Sequence, residues 1–208
     1  MNRSGSPRTQ PDWRWEKRAA SAGFRCIAGV DEVGRGCLAG PVVAAAVVLD
    51  QDADFQGLRD SKMLTPKARE RWAHRLQQEV RAWSVGKADA GEVDRLNVLE
   101  ATRLAMQRAV RALSERPDLL LVDAIELPSL DLPQGSLVRG DERVMSIAAA
   151  SVIAKVHRDH FMSGMDASFP RYGFLRNKGY GTLEHRRAVR RWGPCELHRR
   201  SFCGVLPA

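Results

Sequence analysis

The side chains best suited to chemistry lie together in residues 27–36. An apolar run ends at two adjacent carboxylates, Asp31 and Glu32, and Gly34, Arg35 and Gly36 follow. Hard divalent cations prefer oxygen ligands, so the two acids suit a metal ion. Glycine lets backbone amides approach a ligand closely, and arginine favours phosphate. The segment therefore predicts a metal site beside a phosphate-facing turn, which is what cleavage of a phosphodiester needs.

Two further apolar segments also end in acid, at Asp123 and Asp141. Because α/β proteins place ligands at strand ends, we expect these carboxylates to meet Asp31 and Glu32. Four converging acids would repel one another and raise their pKa values unless cations neutralised them. Two Mg²⁺ ions about 3.5–4 Å apart would do so. For any single acid, capping a strand is the simpler interpretation, but it is weaker for the whole set.

The spacing of the first two acids sets a geometric condition. Neighbouring residues of an ideal strand point to opposite faces, so Asp31 and Glu32 share a site only if the backbone turns there. Gly34 and Gly36 favour such a turn. The same glycines, with Ala39, match the loose dinucleotide-binding fingerprint. We reject that interpretation because the fingerprint must open a helix, whereas Pro41 and a β-branched run follow here.

Weaker signals lie in two loops. Ser61 and Lys62 offer a hydroxyl and an ammonium group to a phosphate, although such a pair is more often an ordinary turn. Tyr180 stands between two glycines in a basic loop, where a ring can stack on a base or sugar. A tyrosine packed under its own loop explains that pattern equally well.

The net charge of +8 is unevenly distributed along the chain. Residues 1–20 carry +3 and residues 171–208 carry +7, which leaves −2 for the middle. This pattern suggests that a polyanion binds at one end, beside metal-assisted chemistry in the acidic centre. No apolar run approaches the roughly 20 residues that span a bilayer, and the polar start has no signal-peptide core. We therefore expect a cytoplasmic protein without a membrane partner.

The hydrophobic pattern predicts an α/β layered domain. A continuous small and branched run over residues 41–49 indicates a strand buried on both faces, and Thr65-Pro66 indicates a helix start. Residues 1–20 are interpreted as a flexible arm, with Trp13 and Trp15 docking its end. Further strands are predicted at residues 24–30, 83–87, 119–122 and 137–139, and helices at about 92–113, 146–156 and 183–192.

Taken in order, the motifs resemble those of type 2 ribonuclease H, the bacterial ribonuclease HII family. The resemblance runs from about residue 24 to residue 205. Its segments are Gly29-Val30-Asp31-Glu32-Val33-Gly34-Arg35-Gly36, Gly40-Pro41-Val42-Val43, Asp60-Ser61-Lys62, Leu96-Asn97 with Ala101-Thr102, Val122-Asp123, Gly140-Asp141, residues 146–159, Tyr172-Gly173-Phe174, Lys178-Gly179-Tyr180 and His198-Arg199-Arg200-Ser201-Phe202. The chain departs from the family pattern at Ala124, where glycine is usual, and at Cys203.

The resemblance implies an RNase H-like mixed β-sheet flanked by helices, with a C-terminal helical extension. Together with the arm over residues 1–20, which extends beyond the family's usual start, it divides the chain into a catalytic core (21–168) and a basic substrate-binding extension (169–208). It implies two divalent ions, Mg²⁺ or Mn²⁺. The residues that carry the family's functions are four metal-binding catalytic acids (Asp31, Glu32, Asp123 and Asp141), a turn that reads the ribose 2′-hydroxyl (Gly34, Arg35 and Gly36), a ring that stacks on the following deoxyribose (Tyr180) and two phosphate contacts (Ser61 and Lys62).

The activity implied is hydrolysis of RNA paired with DNA, including single ribonucleotides embedded in a DNA duplex. Cleavage is expected 5′ of the ribonucleotide, leaving a 3′-hydroxyl and a 5′-phosphate. We expect a monomer whose partners are these nucleic acids, with recruitment by a sliding clamp or polymerase left open. The alternatives are a ribonuclease HIII-like hybrid nuclease, which normally carries an extra N-terminal domain, a related nuclease acting on DNA alone, and a non-catalytic hybrid-binding protein.

Overall fold

The computed structural model describes residues 10–206. Five strands and seven helices are the regular elements of this range. The strands are β1 (Ile27–Val33), β2 (Val42–Val48), β3 (Ala82–Ala88), β4 (Leu119–Asp123) and β5 (Gln134–Leu137). The helices are α1 (Arg14–Ser21), α2 (Pro66–Glu79), α3 (Ala90–Leu96), α4 (Val98–Arg111), α5 (Met145–Gly164), α6 (Phe174–Asn177) and α7 (Leu183–Trp192).

The strands form one mixed sheet in the order β3-β2-β1-β4-β5. β2 pairs antiparallel with β1 and with β3, whereas β4 pairs parallel with β1 and with β5. Every residue of β2 is buried, as its continuous apolar run predicts, because helices cover both faces of the sheet. The mixed sheet flanked by helices confirms the fold class expected from the sequence.

Helices α5 and α4 cover opposite faces of the sheet. α5, with α2 beside it, packs on β1 and β2, and α4 packs on the other face against β2 and β3. Gly29 allows α5 to approach β1 closely, because a Cβ there would stand 2.2 Å from the backbone carbon of Ser146. The face of α5 that approaches so closely is rich in alanine and serine, so the helix backbone lies near the end of β1.

Local capping signals decide several helix boundaries. The Thr65 hydroxyl accepts a hydrogen bond from the backbone N–H of Ala68, with proline at the first turn of α2, as expected. The single helix predicted over residues 92–113 is instead two helices. Asn97 adopts a left-handed φ of 69° between them, and its side chain caps α4. Within α4, Thr102 and Met106 face the core, whereas Leu99 is exposed.

A flexible arm was expected over residues 1–20, but its second half forms a helix that packs on the domain. Residues 1–9 lie outside the described range, but Arg14–Ser21 form α1. The Glu16 side chain is buried, and its Oε1 accepts hydrogen bonds from the backbone N–H and the hydroxyl of Ser146, both at 2.8 Å. This contact caps the first turn of α5 and holds α1 on the domain. Local sequence patterns could not predict it, because the two residues are 130 positions apart in the chain.

The C-terminal extension folds back onto the end of α5. A short 3-10 turn, α6 and α7 follow one another, so a short helix precedes the loop that carries Tyr180, while α7 lies where it was predicted. Met162 of α5, Phe174 and Val189 are buried together there. The division of the chain at residue 168 stays a prediction. Among residues 10–206, no helix has both the length and the apolarity needed to cross a membrane.

Candidate active site

Three of the four predicted acids meet at one end of the sheet. Asp31, Glu32 and Asp123 each offer a carboxylate oxygen, and these oxygens all lie within 4.8 Å of one another. The parallel pairing of β1 with β4 ends at Val30 and Val122, so the acids that follow on both strands share the same edge. The order of the strands, rather than any local motif, therefore brings Asp123 to the first two acids.

The expected turn between Asp31 and Glu32 is absent. β1 continues to Val33 and stays paired with β2, with Asp31 opposite Ala45 and Glu32 opposite Ala44. The carboxylates still meet because β1 is not paired with β4 beyond Val30. Side chains from both faces of β1 can therefore reach this end of the strand. The backbone N–H of Glu32 donates to Oδ1 of Asp31 at 2.7 Å, which fixes the first carboxylate.

The electrostatics of the group fit a bound cation. Burial raises the pKa of Asp31 well above its ordinary value, and the neighbouring charges of Glu32 and Asp123 raise it further. Burial also raises the pKa of Glu32, against the opposing effect of Arg35, and it raises the pKa of Asp123. Within the described range, Oε2 of Glu32 is buried without a hydrogen-bond partner. Buried, mutually repelling oxygens with an unpartnered acceptor are the donor set a divalent metal ion takes.

The fourth acid, Asp141, lies beside this group rather than within it. It is buried in the 3-10 turn Gly140–Glu142, and its charge raises the pKa values of Asp31 and Asp123. Its Oδ2 lies 3.1 Å from Nζ of Lys62, which is largely exposed. Although partial desolvation opposes it, this contact and the charge of Asp60 raise the pKa of Lys62. The ammonium group therefore borders the acids on the side of Asp141.

The glycine–arginine–glycine turn borders the acids on another side. Gly34 has a φ of 94°, and a Cβ there would stand 2.3 Å from Nε of Arg158. Nη1 of Arg35 lies 3.5 Å from Oε1 of Glu32, so the guanidinium reaches the acid group. A Cβ on Gly36 would meet no heavy atom of the described residues within 4 Å. The backbone at Gly36 is thus open for a ligand to approach.

Ser61 does not stand free as a phosphate contact. It is 4% exposed, and its hydroxyl lies 3.0 Å from the hydroxyl of Ser151 in α5. A hydrogen bond from Ser151 also lowers the pKa of Asp31, against the larger effect of burial. The structure therefore connects Ser61 to the acid group through Ser151. Its predicted role as a phosphate contact stays a prediction.

Tyr180 lies on the surface beside two basic side chains. It is 39% exposed, with Nζ of Lys155 5.3 Å and the guanidinium carbon of Arg158 5.6 Å from the ring centroid. The carbonyl of Gly179 accepts the backbone N–H of Leu38 at 2.9 Å, which joins this loop to the segment after Gly36. The partly exposed ring does not support the alternative of a tyrosine packed under its own loop.

Sequence reasoning missed two buried arginines that hold these loops together. Arg158 donates to the carbonyls of Pro41, Ala39 and Lys178 at 2.9–3.0 Å. Arg199 donates to the carbonyls of Gly40 and Arg35 at 2.7–3.0 Å. Neither forms an ion pair with an acid of residues 10–206. The only early signal is that Arg158 stands four residues from Ala154 and from Met162, on the buried face of α5.

The comparisons with known proteins identify the family of this chain. The family model described as Ribonuclease HII matches residues 28–205, a range that contains Asp31, Glu32, Asp123 and Asp141. The chain belongs to the ribonuclease HII family. A ribonuclease HII of Syntrophotalea carbinolica is 53% identical over 191 residues, covering 92% of this chain and 91% of the relative.

Solved structures give the same fold. Ribonuclease H2 from Pyrococcus horikoshii superposes with a TM-score of 0.76 at 23% identity, covering 87% of this chain and 95% of that one. Ribonuclease HII of Archaeoglobus fulgidus, solved in a complex with PCNA, gives a TM-score of 0.71 at 25% identity, covering 86% and 96%. This chain is therefore a type 2 ribonuclease H, an endoribonuclease of the class that acts on RNA–DNA hybrids. The family assignment and the presence of all four acids disfavour the ribonuclease HIII-like and non-catalytic alternatives.

Proposed function

We propose that this ribonuclease HII hydrolyses the RNA of RNA–DNA hybrids and also cuts at single ribonucleotides embedded in duplex DNA. The cut falls 5′ of the ribonucleotide and leaves a 3′-hydroxyl and a 5′-phosphate. The observation that carries the proposal is the meeting of Asp31, Glu32 and Asp123 oxygens within 4.8 Å, beside the open backbone at Gly36. A centre for phosphate chemistry thus adjoins a surface that can read a sugar.

We assign the binding of two divalent ions, Mg²⁺ or Mn²⁺, to Asp31, Glu32, Asp123 and Asp141. When bound there, such ions supply a water of lowered pKa and neutralise charge on the scissile phosphate. The protein contributes the placement of the carboxylates, because Gly140 donates to Asp123 and the backbone of Glu32 donates to Asp31. Ions at this position would also relieve the mutual repulsion of the acids.

The basic side chains around the acids bind the nucleic acid. Arg35 and Lys62 each lie beside one of the carboxylates, at 3.5 Å and 3.1 Å, and both are exposed enough to turn to a phosphate. Once cations neutralise the acids, the attraction that holds Arg35 and Lys62 there weakens, which favours contact with the substrate. Ser61, the other predicted phosphate contact, acts indirectly in this proposal. Its buried hydroxyl forms a hydrogen bond with the hydroxyl of Ser151, beside the acid group.

The distinction between RNA and DNA lies at Gly34–Gly36 and Tyr180. A 2′-hydroxyl both donates and accepts a hydrogen bond, and the open backbone at Gly36 offers groups of both kinds. The exposed ring of Tyr180 stacks on the deoxyribose that follows the ribonucleotide. Since the Gly179 carbonyl binds the N–H of Leu38, the two elements are held at a fixed spacing, as the reading of a junction requires.

The proposed partners are the hybrid and ribonucleotide-containing duplexes themselves. The protein acts as a monomer in the cytoplasm. The A. fulgidus relative forms a complex with PCNA, and recruitment of the present protein by a sliding clamp is an extension of that finding. Binding to nucleic acid should weaken steeply with salt because the excess of basic groups over residues 171–208 contacts phosphates.

A cleavage assay on a defined duplex tests the proposal. A labelled DNA duplex with one ribonucleotide is incubated with Mg²⁺ or Mn²⁺, and the cut is mapped to the nucleotide. We expect one cut 5′ of the ribonucleotide for the wild type and none for Asp31→Asn. Asp52→Asn is the matched control, because Asp52 is exposed beyond the opposite end of β2. A cut elsewhere, or wild-type cleavage by Asp31→Asn, contradicts the proposal.

A further inference from the structure

Two buried histidines face each other between α7 and the segment that follows it. His185 in α7 is fully buried and His198 is 2% exposed, and their Nε2 atoms lie 3.0 Å apart. The ring centroid of Tyr172 lies 4.8 Å from that of His198, and the centroid of Phe174 lies 5.5 Å from that of His185. Neither histidine has a part in the chemistry proposed above.

The contacts of the pair decide which nitrogen of each ring carries the proton. The backbone N–H of Cys195 donates to Nδ1 of His198 at 3.0 Å, so this nitrogen is an acceptor. A neutral His198 then carries its proton on Nε2 and donates it to Nε2 of His185. His185 in turn carries its proton on Nδ1, which lies 2.9 Å from the carbonyl oxygen of Tyr180. The hydrogen bonds therefore run in one direction, from Cys195 to the backbone of Tyr180.

The environment keeps both rings neutral, as this arrangement requires. Burial lowers the pKa of His185, and the nearby charge of Arg186 lowers it further, against the Tyr180 carbonyl. Burial and repulsion from His185 lower the pKa of His198 to about 4. At neutral pH one proton therefore lies between the two Nε2 atoms, and the donor that faces Tyr180 is fixed.

The chain around Tyr180 is anchored from both sides. On one side, the Gly179 carbonyl accepts the backbone N–H groups of Leu38 and Ala39, in the segment after the glycine–arginine–glycine turn. On the other side, the Tyr180 carbonyl accepts from His185 and from the backbone N–H of Thr182 at 2.8 Å. Tyr180 is 39% exposed, and because His185 holds its carbonyl, the histidines influence where its ring stands.

We propose that His185 and His198 form a positioning pair that fixes the Tyr180 backbone and, through it, the ring that reads the RNA–DNA junction. The inference rests on the proposed function, in which Tyr180 stacks on the sugar after the ribonucleotide. Both histidines are buried away from the substrate and act through Tyr180 alone. The effect of the two histidines is measured as junction selectivity. We define it as the cleavage rate on a DNA duplex with one ribonucleotide divided by the rate on a uniform RNA–DNA hybrid.

A pair of substitutions at His185 tests the donor itself. His185→Leu removes it, whereas His185→Asn places an amide N–H near the position of Nδ1. We expect His185→Leu to lower junction selectivity about three- to tenfold, as loss of one hydrogen bond gives, and His185→Asn to retain most of it. Equal losses of rate on both substrates in His185→Leu would overturn the proposal.

The same comparison is available at the other end of the pair, in case His185→Leu does not fold. His198→Gln retains a donor for Nε2 of His185, and His198→Leu does not. The control is Tyr172→Phe, which removes the hydroxyl bond to the Gly193 carbonyl at 2.8 Å within the same aromatic cluster. Of these three variants, we expect only His198→Leu to lower junction selectivity. A fall of equal size in Tyr172→Phe would assign the effect to packing of the cluster and overturn the proposal.

A double variant separates this inference from the function on which it rests. In a Tyr180→Ala background, His185→Leu should not lower selectivity further, because its effect passes through the tyrosine. A further loss there would overturn the positioning role while the proposed function stands. If Tyr180→Ala alone leaves selectivity unchanged, the junction-reading role of Tyr180 and the positioning role fail together, whereas the role of the acids is judged separately by Asp31→Asn.

Discussion

Oδ1 of Asp123 accepts a hydrogen bond from the backbone N–H of Gly140 at 2.6 Å. The bond joins the end of β4 to the turn after β5, and Asp141 is the next residue along the chain. One carboxylate is therefore both a member of the acid group and the anchor for the segment that brings the fourth acid to it. A Cβ on Gly140 would stand 2.6 Å from Cδ1 of Ile147, so the turn also lies tightly against α5.

Two substitutions of Asp123 should separate these roles. Asp123→Asn and Asp123→Ala both remove the charge, so both should abolish cleavage. Only the asparagine retains an oxygen for the N–H of Gly140. We expect the alanine variant to have a free energy of unfolding about 1–3 kcal/mol lower than the asparagine variant, as measured by urea denaturation without metal. Equal stability of the two variants would show that the bond contributes nothing to the fold.

Alanine at Gly36 should affect substrate approach without affecting the fold. A Cβ at Gly36 meets nothing within 4 Å in the described part of the chain, so thermal stability should be unchanged. Cleavage at a single ribonucleotide should fall at least about tenfold, because the new methyl group would occupy the space in which the proposed function places the sugar. Gly164→Ala is the control, as a Cβ there is equally free among the described residues. Unchanged cleavage by Gly36→Ala would remove this turn from substrate reading.

The metal-free protein should be stabilised by Asp31→Asn at neutral pH. The pKa of Asp31 is raised above its ordinary 3.8 by burial and by Glu32 and Asp123, so the folded state binds the proton more tightly than the unfolded chain does. The ionised carboxylate therefore destabilises the fold above its folded pKa, and this effect fades as the pH falls towards 3.8. Thermal unfolding in EDTA should show a gain for Asp31→Asn at pH 7 that shrinks with acid. A gain independent of pH would contradict this.

Replacing Arg199 by lysine should lower stability and activity even though the positive charge is kept. Its guanidinium is fully buried and donates to the carbonyls of Gly40 and Arg35, a geometry that lysine cannot reproduce. Arg199→Lys should lower the free energy of unfolding by about 3 kcal/mol through lost hydrogen bonds, and it should also reduce cleavage because the turn at Arg35 loses its anchor. The exposed neighbour Arg200 supplies the control, since Arg200→Lys should change stability little.

Much of the scaffold could be predicted from local patterns. The apolar run of β2, the Thr65 cap of α2 and the bounds of α7 follow from hydrophobic spacing and capping chemistry, which depend on neighbours in sequence. The acids could be named but not arranged. Asp31 and Glu32 meet on a continuous strand because β4 ends beside them, and only the order of the strands shows that.

The features missed from the sequence depend on contacts between distant segments. Glu16 caps α5 from 130 positions away, and His185 reaches the Tyr180 carbonyl only because the chain folds back after α7. Ser61 resembles an exposed phosphate contact in sequence, yet it is buried against Ser151. A motif identifies which side chains are present, whereas burial and partners follow from the packing of the whole domain.

The most direct test of the central claim is the number of divalent ions that the acid group binds. The protein is mixed with a non-cleavable RNA–DNA duplex and titrated with Mn²⁺, and bound ions are counted by electron paramagnetic resonance. We predict two Mn²⁺ ions per wild-type complex and fewer in Asp31→Asn, with duplex binding retained in both. Equal numbers of ions bound with equal affinity in Asp31→Asn would contradict the assignment of the metal centre.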